Sequence, residues 1–135
     1  PNASFVSCPI SNLVVGGTRS LAEVTSSYDA LAARHGVTLV RDMAAGIDAA
    51  KKTVTLASGA SIRYDKLVLS PGIDLMFDGV QGLREAQASG RILQAWKAGP
   101  ETLALRKQLE AMPDGGVYAI AIPEAPYRCP PGTYE

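Results

Sequence analysis

The chain has 135 residues, 47% of which are apolar, and its 13 basic and 13 acidic side chains give a formal net charge of zero. This length suits one small domain or parts of two. The balanced charge excludes the basic surface of a nucleic-acid-binding protein and the polybasic segment of a membrane anchor. No apolar stretch reaches the ~20 residues that span a bilayer. The opening at Pro1, without a methionine or a signal sequence, predicts that the chain is a piece of a longer protein.

The first third of the chain is predicted to contain a helix followed by a strand. Residues 1–12 are expected to be extended and to end in a turn. Ser20 and Glu23 form a capping-box pattern, which predicts that a helix starts there, and Gly36 is suited to the position that ends it. The run at 37–41 then predicts a strand.

A β-hairpin and a buried strand are predicted next. Residues 52–56 and 61–64 alternate between apolar and polar side chains, and Ser58 and Gly59 between them favour a turn. Residues 67–69 are too apolar for a half-exposed strand, and this composition is typical of a buried strand in a parallel sheet.

The last third of the chain is predicted to start irregularly and then to form one helix and one strand. Residues 73–99 show no clear period, whereas Pro100 suits the first position of a helix that runs to Met112. Residues 117–122 are apolar enough for a second buried strand. This order of elements predicts an α/β or mixed fold, with a domain boundary near residue 98.

Two cysteines carry the candidate chemistry, and three interpretations are open for them. Cys8 and Cys129 are each followed by a proline. They are two buried thiols, or partners in one disulfide, or, for Cys129, a redox-active sulfur whose thiolate form the neighbouring Arg128 favours. A metal site is not expected, because neither cysteine has a second ligand at metal-binding spacing and His35 is the single histidine.

The segment after residues 117–122 argues against the binding of a nicotinamide dinucleotide. Such a site needs glycines whose backbone N–H groups approach the pyrophosphate. Pro123 and Pro126 have no N–H to donate, Glu124 would repel phosphate, and the chain contains no GxGxxG motif. Trp96, the single tryptophan, is expected either to pack in a core or interface or to lie on a flat cofactor.

Short motifs that follow one another along the whole chain carry a family resemblance. They include Ser7-Cys8, Tyr28-Asp29-Ala30-Leu31, Ser70-Pro71-Gly72-Ile73, Ala95-Trp96-Lys97-Ala98-Gly99, Arg128-Cys129-Pro130-Pro131-Gly132 and Tyr134-Glu135. In this order they resemble the flavoprotein subunit of flavocytochrome c sulfide dehydrogenase. The Trp-Lys-Ala-Gly and Arg-Cys-Pro-Pro-Gly runs are the most specific of them.

The resemblance implies an FAD enzyme related to the pyridine nucleotide–disulfide oxidoreductases. Residues 1–98 would be part of a Rossmann-like FAD-binding domain that contains the β-hairpin, with the Gly-rich loop upstream of Pro1. Residues 99–135 would be the opening helix and strand of a second, nucleotide-binding-like Rossmann domain. Within the first of these, Ser70, Pro71 and Gly72 would lie along FAD.

The resemblance also implies a role for each sulfur. Cys8 would be bonded covalently to the flavin. Cys129 would be half of a redox-active disulfide that sulfide attacks, with its partner cysteine beyond residue 135, and Glu135 would take a proton from the incoming sulfide. Cys8 and Cys129 are therefore expected not to bond to each other.

The implied enzyme oxidises sulfide in the periplasm and passes electrons to a c-type cytochrome subunit. The chain itself has no Cys-x-x-Cys-His motif, so haem is expected on another chain. The alternatives are a fragment of an NAD(P)H-dependent disulfide reductase or of a sulfide:quinone reductase, and an isolated non-catalytic domain with no flavin bound. Residues 1–135 alone are expected to be inactive.

Overall fold

The computed structural model describes residues 2–127, which fall into two units. One unit is built from the residues up to Phe5 and from Ser27–Gly72, and the other from Val6–Ser26 and the residues from Ile73 onward. The domain boundary near residue 98 stays a prediction. The strands are β1 (Ser4–Val6), β2 (Thr25–Ser27), β3 (Ala44–Asp48), β4 (Thr53–Leu56) and β5 (Ser61–Arg63), and the helices are α1 (Asn12–Val15), α2 (Asp29–His35), α3 (Leu83–Ala88) and α4 (Pro100–Glu110).

The first unit contains a three-stranded antiparallel sheet in the order β3-β4-β5. Val54, in the central strand, lies opposite Ile47 on one side and Ile62 on the other, and Leu56 of the same strand is buried. The turn between β4 and β5 uses Gly59 at φ +88°, a conformation that favours glycine. The predicted hairpin is therefore confirmed, with its register set by apolar pairs across the strands.

Helix α2 ends as predicted but starts later than predicted. Gly36 adopts a left-handed conformation at φ +64° directly after His35. The backbone N–H of Ser20 does donate to the Glu23 carboxylate over 2.7 Å, but this capping box starts only the 3₁₀ turn Ala22–Val24, and β2 follows. The predicted start is wrong because the run Val-Thr-Ser-Ser has low helix propensity and leaves the helical path.

The core of the second unit lies between α1 and α4. Val14 is fully buried, and Thr102 and Leu105 of α4 are nearly so. Pro100 is the first helical residue, as predicted, while the helix ends at Glu110, before the predicted Met112. Helix α3 lies within residues 73–99, so the prediction that this whole region is irregular is wrong.

Three predicted strands are wrong. Residues 37–41, 67–69 and 117–122 form neither helix nor strand, and Val68 and Val117 are 89% and 91% exposed. Within residues 2–127, no backbone hydrogen bond joins 67–69 or 117–122 to another segment. A strand needs a neighbour that satisfies its N–H and C=O groups, so an apolar run without such a neighbour does not form a strand.

The fold class is confirmed as a mixture of helices and strands, but the opening strand expected of a second Rossmann-like domain is not formed by residues 117–122. Helix α4 supplies the expected opening helix alone. Over residues 2–127, no helix has the length and apolarity that crossing a membrane requires.

Candidate functional site

Cys8 lies in a tight turn directly after β1, and hydrogen bonds fix the backbone on both sides of it. The N–H of Ser7 donates to the Val24 carbonyl over 2.8 Å. The Cys8 carbonyl accepts from both the N–H and the hydroxyl of Ser11, at 3.1 and 2.8 Å. Its thiol is free and exposed, so the interpretation of Cys8 as a buried thiol is wrong. The turn presents the sulfur outward from a rigid backbone.

The structure brings Cys8 and Trp96 together, although they are 88 positions apart in the chain. The Cys8 thiol donates to the backbone carbonyl of Trp96, with 3.1 Å between sulfur and oxygen. The Trp96 side chain itself is half-buried. Two of the residues that the sequence selected as cofactor contacts therefore lie side by side in the second unit.

Trp96 also lines a groove of about 300 Å³ whose other walls come from the proline-rich loop. The lining includes Pro123, Glu124, Pro126 and Tyr127. This volume is at the lower end of the range of roughly 300–1,000 Å³ that small-molecule sites occupy. An indole, a phenol ring and two prolines give the groove flat apolar walls, with one carboxylate among them.

The other predicted site residues are not part of this cluster. Ser70, Pro71 and Gly72 are exposed and belong to the first unit, where Gly72 adopts φ +82°. Cys129 and Glu135 lie outside the described residues. The roles of Cys129 and Glu135, and the covalent bond expected between Cys8 and the flavin, therefore stay predictions.

Sequence reasoning missed two residues that hold the loop carrying Trp96. The carboxylate of Glu101 accepts from the backbone N–H of Gln94 over 2.9 Å and from the side chain of Gln87 over 2.7 Å. The side chain of Gln94 in turn binds both the N–H and the carbonyl of Lys97. One signal was available, because an acidic residue in the first turn of a helix is favoured by its dipole.

The carboxyl groups with lowered pKa values have structural roles in turns and ion pairs. Hydrogen bonds from Arg84 lower the pKa of Asp78, and hydrogen bonding to Ser58 lowers that of Asp42. In both cases the partner stabilises the charged carboxylate. Among the described residues, no group of histidine, cysteine and carboxylate side chains could hold a metal ion.

Two comparisons identify relatives of this chain. Residues 102–135 match the family model described as the central part of the sulfide dehydrogenase (flavocytochrome c) flavoprotein chain. The solved structure of the sulfide:quinone oxidoreductase from the hyperthermophilic bacterium Aquifex aeolicus is similar, with a TM-score of 0.67 and 25% identity. That likeness covers 81% of this chain and 24% of the other, so this chain spans about a quarter of that protein's length.

Both relatives are flavin-dependent oxidoreductases, and the sulfide:quinone oxidoreductase is a member of the FAD disulfide-oxidoreductase superfamily. The fold thus resembles that of a class of enzymes that carry flavin. Within that class, the resemblance to the flavoprotein subunit of flavocytochrome c sulfide dehydrogenase is confirmed by the family model.

The residues that are present fit one end of a flavin. The exposed, backbone-fixed thiol contacts the backbone of Trp96, and Trp96 lines a flat-walled groove; this pairing is chemically suited to hold an aromatic ring system and to be joined to it. The loop that would bind the pyrophosphate of FAD requires glycines in a pattern that this chain does not contain. The chain therefore has groups suited to the ring end of the cofactor and lacks that phosphate-binding motif.

Proposed function

We propose that this chain is part of an FAD-dependent sulfide dehydrogenase. The observation that carries the proposal is the match of residues 102–135 to the family model of the sulfide dehydrogenase flavoprotein chain. The likeness to a sulfide:quinone oxidoreductase supports the same substrate, because that protein is also named for sulfide. The complete protein is proposed to be active, and residues 1–135 alone to be inactive.

Cys8 is proposed to anchor the flavin covalently, with Trp96 packing beside it. The thiol is exposed, and the turn fixes its backbone, so the chain spends little conformational entropy in presenting the sulfur. When bound, flavin supplies an acceptor for an electron pair. Ser70, Pro71 and Gly72 are proposed to lie along FAD, and the open backbone of Gly72 suits a close approach, since nothing lies within 4 Å of the position of an added Cβ.

Cys129 and Glu135 are proposed to carry the reaction with sulfide. In the disulfide of Cys129 and a cysteine beyond residue 135, the anion HS⁻ attacks one sulfur. A new S–S bond to the incoming sulfur forms, the old S–S bond breaks, and the other cysteine leaves as a thiolate. Glu135 is proposed to take the proton that H₂S loses, as a general base.

The electron acceptor is proposed to be a c-type cytochrome subunit in the periplasm. The family description supports a cytochrome partner, because it names flavocytochrome c. A quinone is the second candidate, and the structural likeness to a sulfide:quinone oxidoreductase favours it. Steady-state assays of the complete protein with each acceptor in turn decide between the two.

The test of the central proposal uses the complete protein expressed from its full reading frame. We expect sulfide to bleach its flavin under anaerobic conditions and NADH to leave the flavin oxidised. We also expect the acid-precipitated protein to stay yellow, and Cys8→Ser to release the flavin on precipitation. Ser7→Ala is the matched control, since it changes the neighbouring side chain and leaves the thiol in place.

Two results would overturn parts of this proposal separately. Rapid bleaching by NADH without bleaching by sulfide would favour an NAD(P)H-dependent disulfide reductase, against which Pro123 and Pro126 argue at present. Release of the flavin from the wild-type protein on acid precipitation would refute the covalent bond to Cys8. It would leave the proposed reaction with sulfide unaffected.

A further inference from the structure

The loop that carries Trp96 is closed by the side chain of Gln94. The amide nitrogen of that side chain donates to the Lys97 carbonyl over 2.9 Å, and its oxygen accepts from the Lys97 N–H over 2.7 Å. Together the two hydrogen bonds bridge the intervening Ala95 and Trp96. A side chain that binds both backbone groups of one residue removes most of the freedom of the peptides between them.

We call the two hydrogen bonds between the Gln94 side chain and the backbone of Lys97 the clamp. Gln94 itself is fixed to the rest of the second unit. The backbone N–H of Gln94 donates to one oxygen of the Glu101 carboxylate over 2.9 Å, and Gln87 of α3 donates to the other over 2.7 Å. Hydrogen bonds to a charged acceptor are about twice as strong as neutral ones. The backbone of Gln94 is therefore held in place, and this fixes the position from which its side chain reaches Lys97.

The clamp acts on the same peptide group that contacts the thiol. The carbonyl of Trp96 and the N–H of Lys97 belong to one planar peptide unit, and in a trans peptide they point in opposite directions. Gln94 accepts from the N–H, and on the opposite side the carbonyl accepts from the Cys8 thiol over 3.1 Å. Holding one end of this unit therefore sets the direction of the other.

We propose that Gln94 is a positioning residue for Cys8. By accepting from the Lys97 N–H it aims the Trp96 carbonyl at the thiol and so fixes where the sulfur points. The inference rests on the proposed function, because it names the residue that prepares Cys8 to be joined to the flavin. It adds a step that acts on the chain before any cofactor is present.

The test compares Gln94→Ala with wild type in the complete protein, prepared without bound flavin. The readout is the rate at which iodoacetamide alkylates Cys8, followed by the mass of the peptide that contains it. A hydrogen bond that must break before the sulfur attacks slows the reaction, so losing the clamp should speed alkylation by about two- to fivefold. In protein expressed with flavin, the acid-stable fraction should fall at least about twofold.

Two further variants make the comparison specific. Gln108→Ala is the matched control, since the side chain of Gln108 in α4 donates elsewhere, to the Gly90 carbonyl over 3.1 Å, and its alkylation rate should equal wild type. Gln94→Glu keeps an oxygen that accepts from the Lys97 N–H but loses the donor to the Lys97 carbonyl, so its rate should lie between those of wild type and Gln94→Ala. Gln94→Met keeps the length of the side chain and removes the oxygen that accepts from the Lys97 N–H. If Gln94→Ala loses thermal stability, the alkylation rates of Gln94→Glu and Gln94→Met are compared instead.

The outcomes separate this inference from the proposed function. Wild-type alkylation rates in both Gln94→Ala and Gln94→Met would overturn the positioning role. Faster alkylation in these variants, with no covalent flavin in the wild-type protein, would support the positioning role and overturn the tether at Cys8. Faster alkylation together with a lower acid-stable flavin fraction would support both.

Discussion

Gly17→Ala tests how tightly α4 is packed against the turn that follows α1. Gly17 adopts φ +81°, and a Cβ placed on it would lie 3.1 Å from the guanidinium group of Arg106. Ordinary contact distances for such atoms are about 3.5–4.0 Å, so the guanidinium has to shift by a few tenths of an ångström. That shift weakens the hydrogen bond that the Arg106 guanidinium donates to the Val14 carbonyl, which is already long at 3.5 Å.

The expected cost has two parts. Placing alanine in the left-handed conformation costs about 1–2 kcal/mol. Weakening the hydrogen bond of the arginine adds about 0.5–1 kcal/mol, so we expect Gly17→Ala to lower the free energy of unfolding by about 1.5–3 kcal/mol. Gly82→Ala is the matched control, because Gly82 has φ +80° in the same unit and nothing within 4 Å, so it should cost only about 1–2 kcal/mol.

Urea titrations followed by circular dichroism measure both variants. The same pair of substitutions is then repeated in an Arg106→Ala background, where the crowding is gone and the two costs should become equal. Equal costs of Gly17→Ala and Gly82→Ala with Arg106 present would refute the argument that the guanidinium packs on this glycine.

Two further outcomes are expected. Leu105→Ala should destabilise the protein by about 2–5 kcal/mol in urea titrations, because it empties a site that is only 8% exposed, while Leu103→Ala on the exposed side of α4 should change stability by less than about 1 kcal/mol. Asp42 has a lowered pKa in the folded state, so its contribution to stability is full above its ordinary pKa of about 3.9 and is lost as the pH falls through the lowered value. Wild type should therefore lose stability more steeply than Asp42→Asn as the pH falls below about 4, and parallel losses would contradict the role of the hydrogen bonds from Ser58 and Met43.

The elements that the sequence predicted well are those decided by local interactions. The hairpin follows from alternation and a glycine turn within a dozen residues, and α4 starts at Pro100 because a fixed φ suits the first helical position. The strands at 67–69 and 117–122 failed because apolar composition describes a strand that has neighbours. Composition carries no information on whether those neighbours exist.

The candidate site was predictable only in part. The contact of Cys8 with Trp96 joins residues 88 positions apart, and no periodic pattern indicates a contact at that separation, so the sequence selected each residue but could not pair them. The roles of Gln94 and Glu101 were not predicted, because the partners of a polar side chain are known only when the path of the backbone is known. The structure supplied that path.

The contact between Cys8 and Trp96 gives residues 1–135 an internal optical reporter. Their single tryptophan has its backbone carbonyl 3.1 Å from an exposed thiol, and indole emission responds to the groups around it. Any reagent or chromophore joined to the sulfur should therefore quench or shift that emission. Occupancy of the thiol can then be followed in real time, without adding a dye.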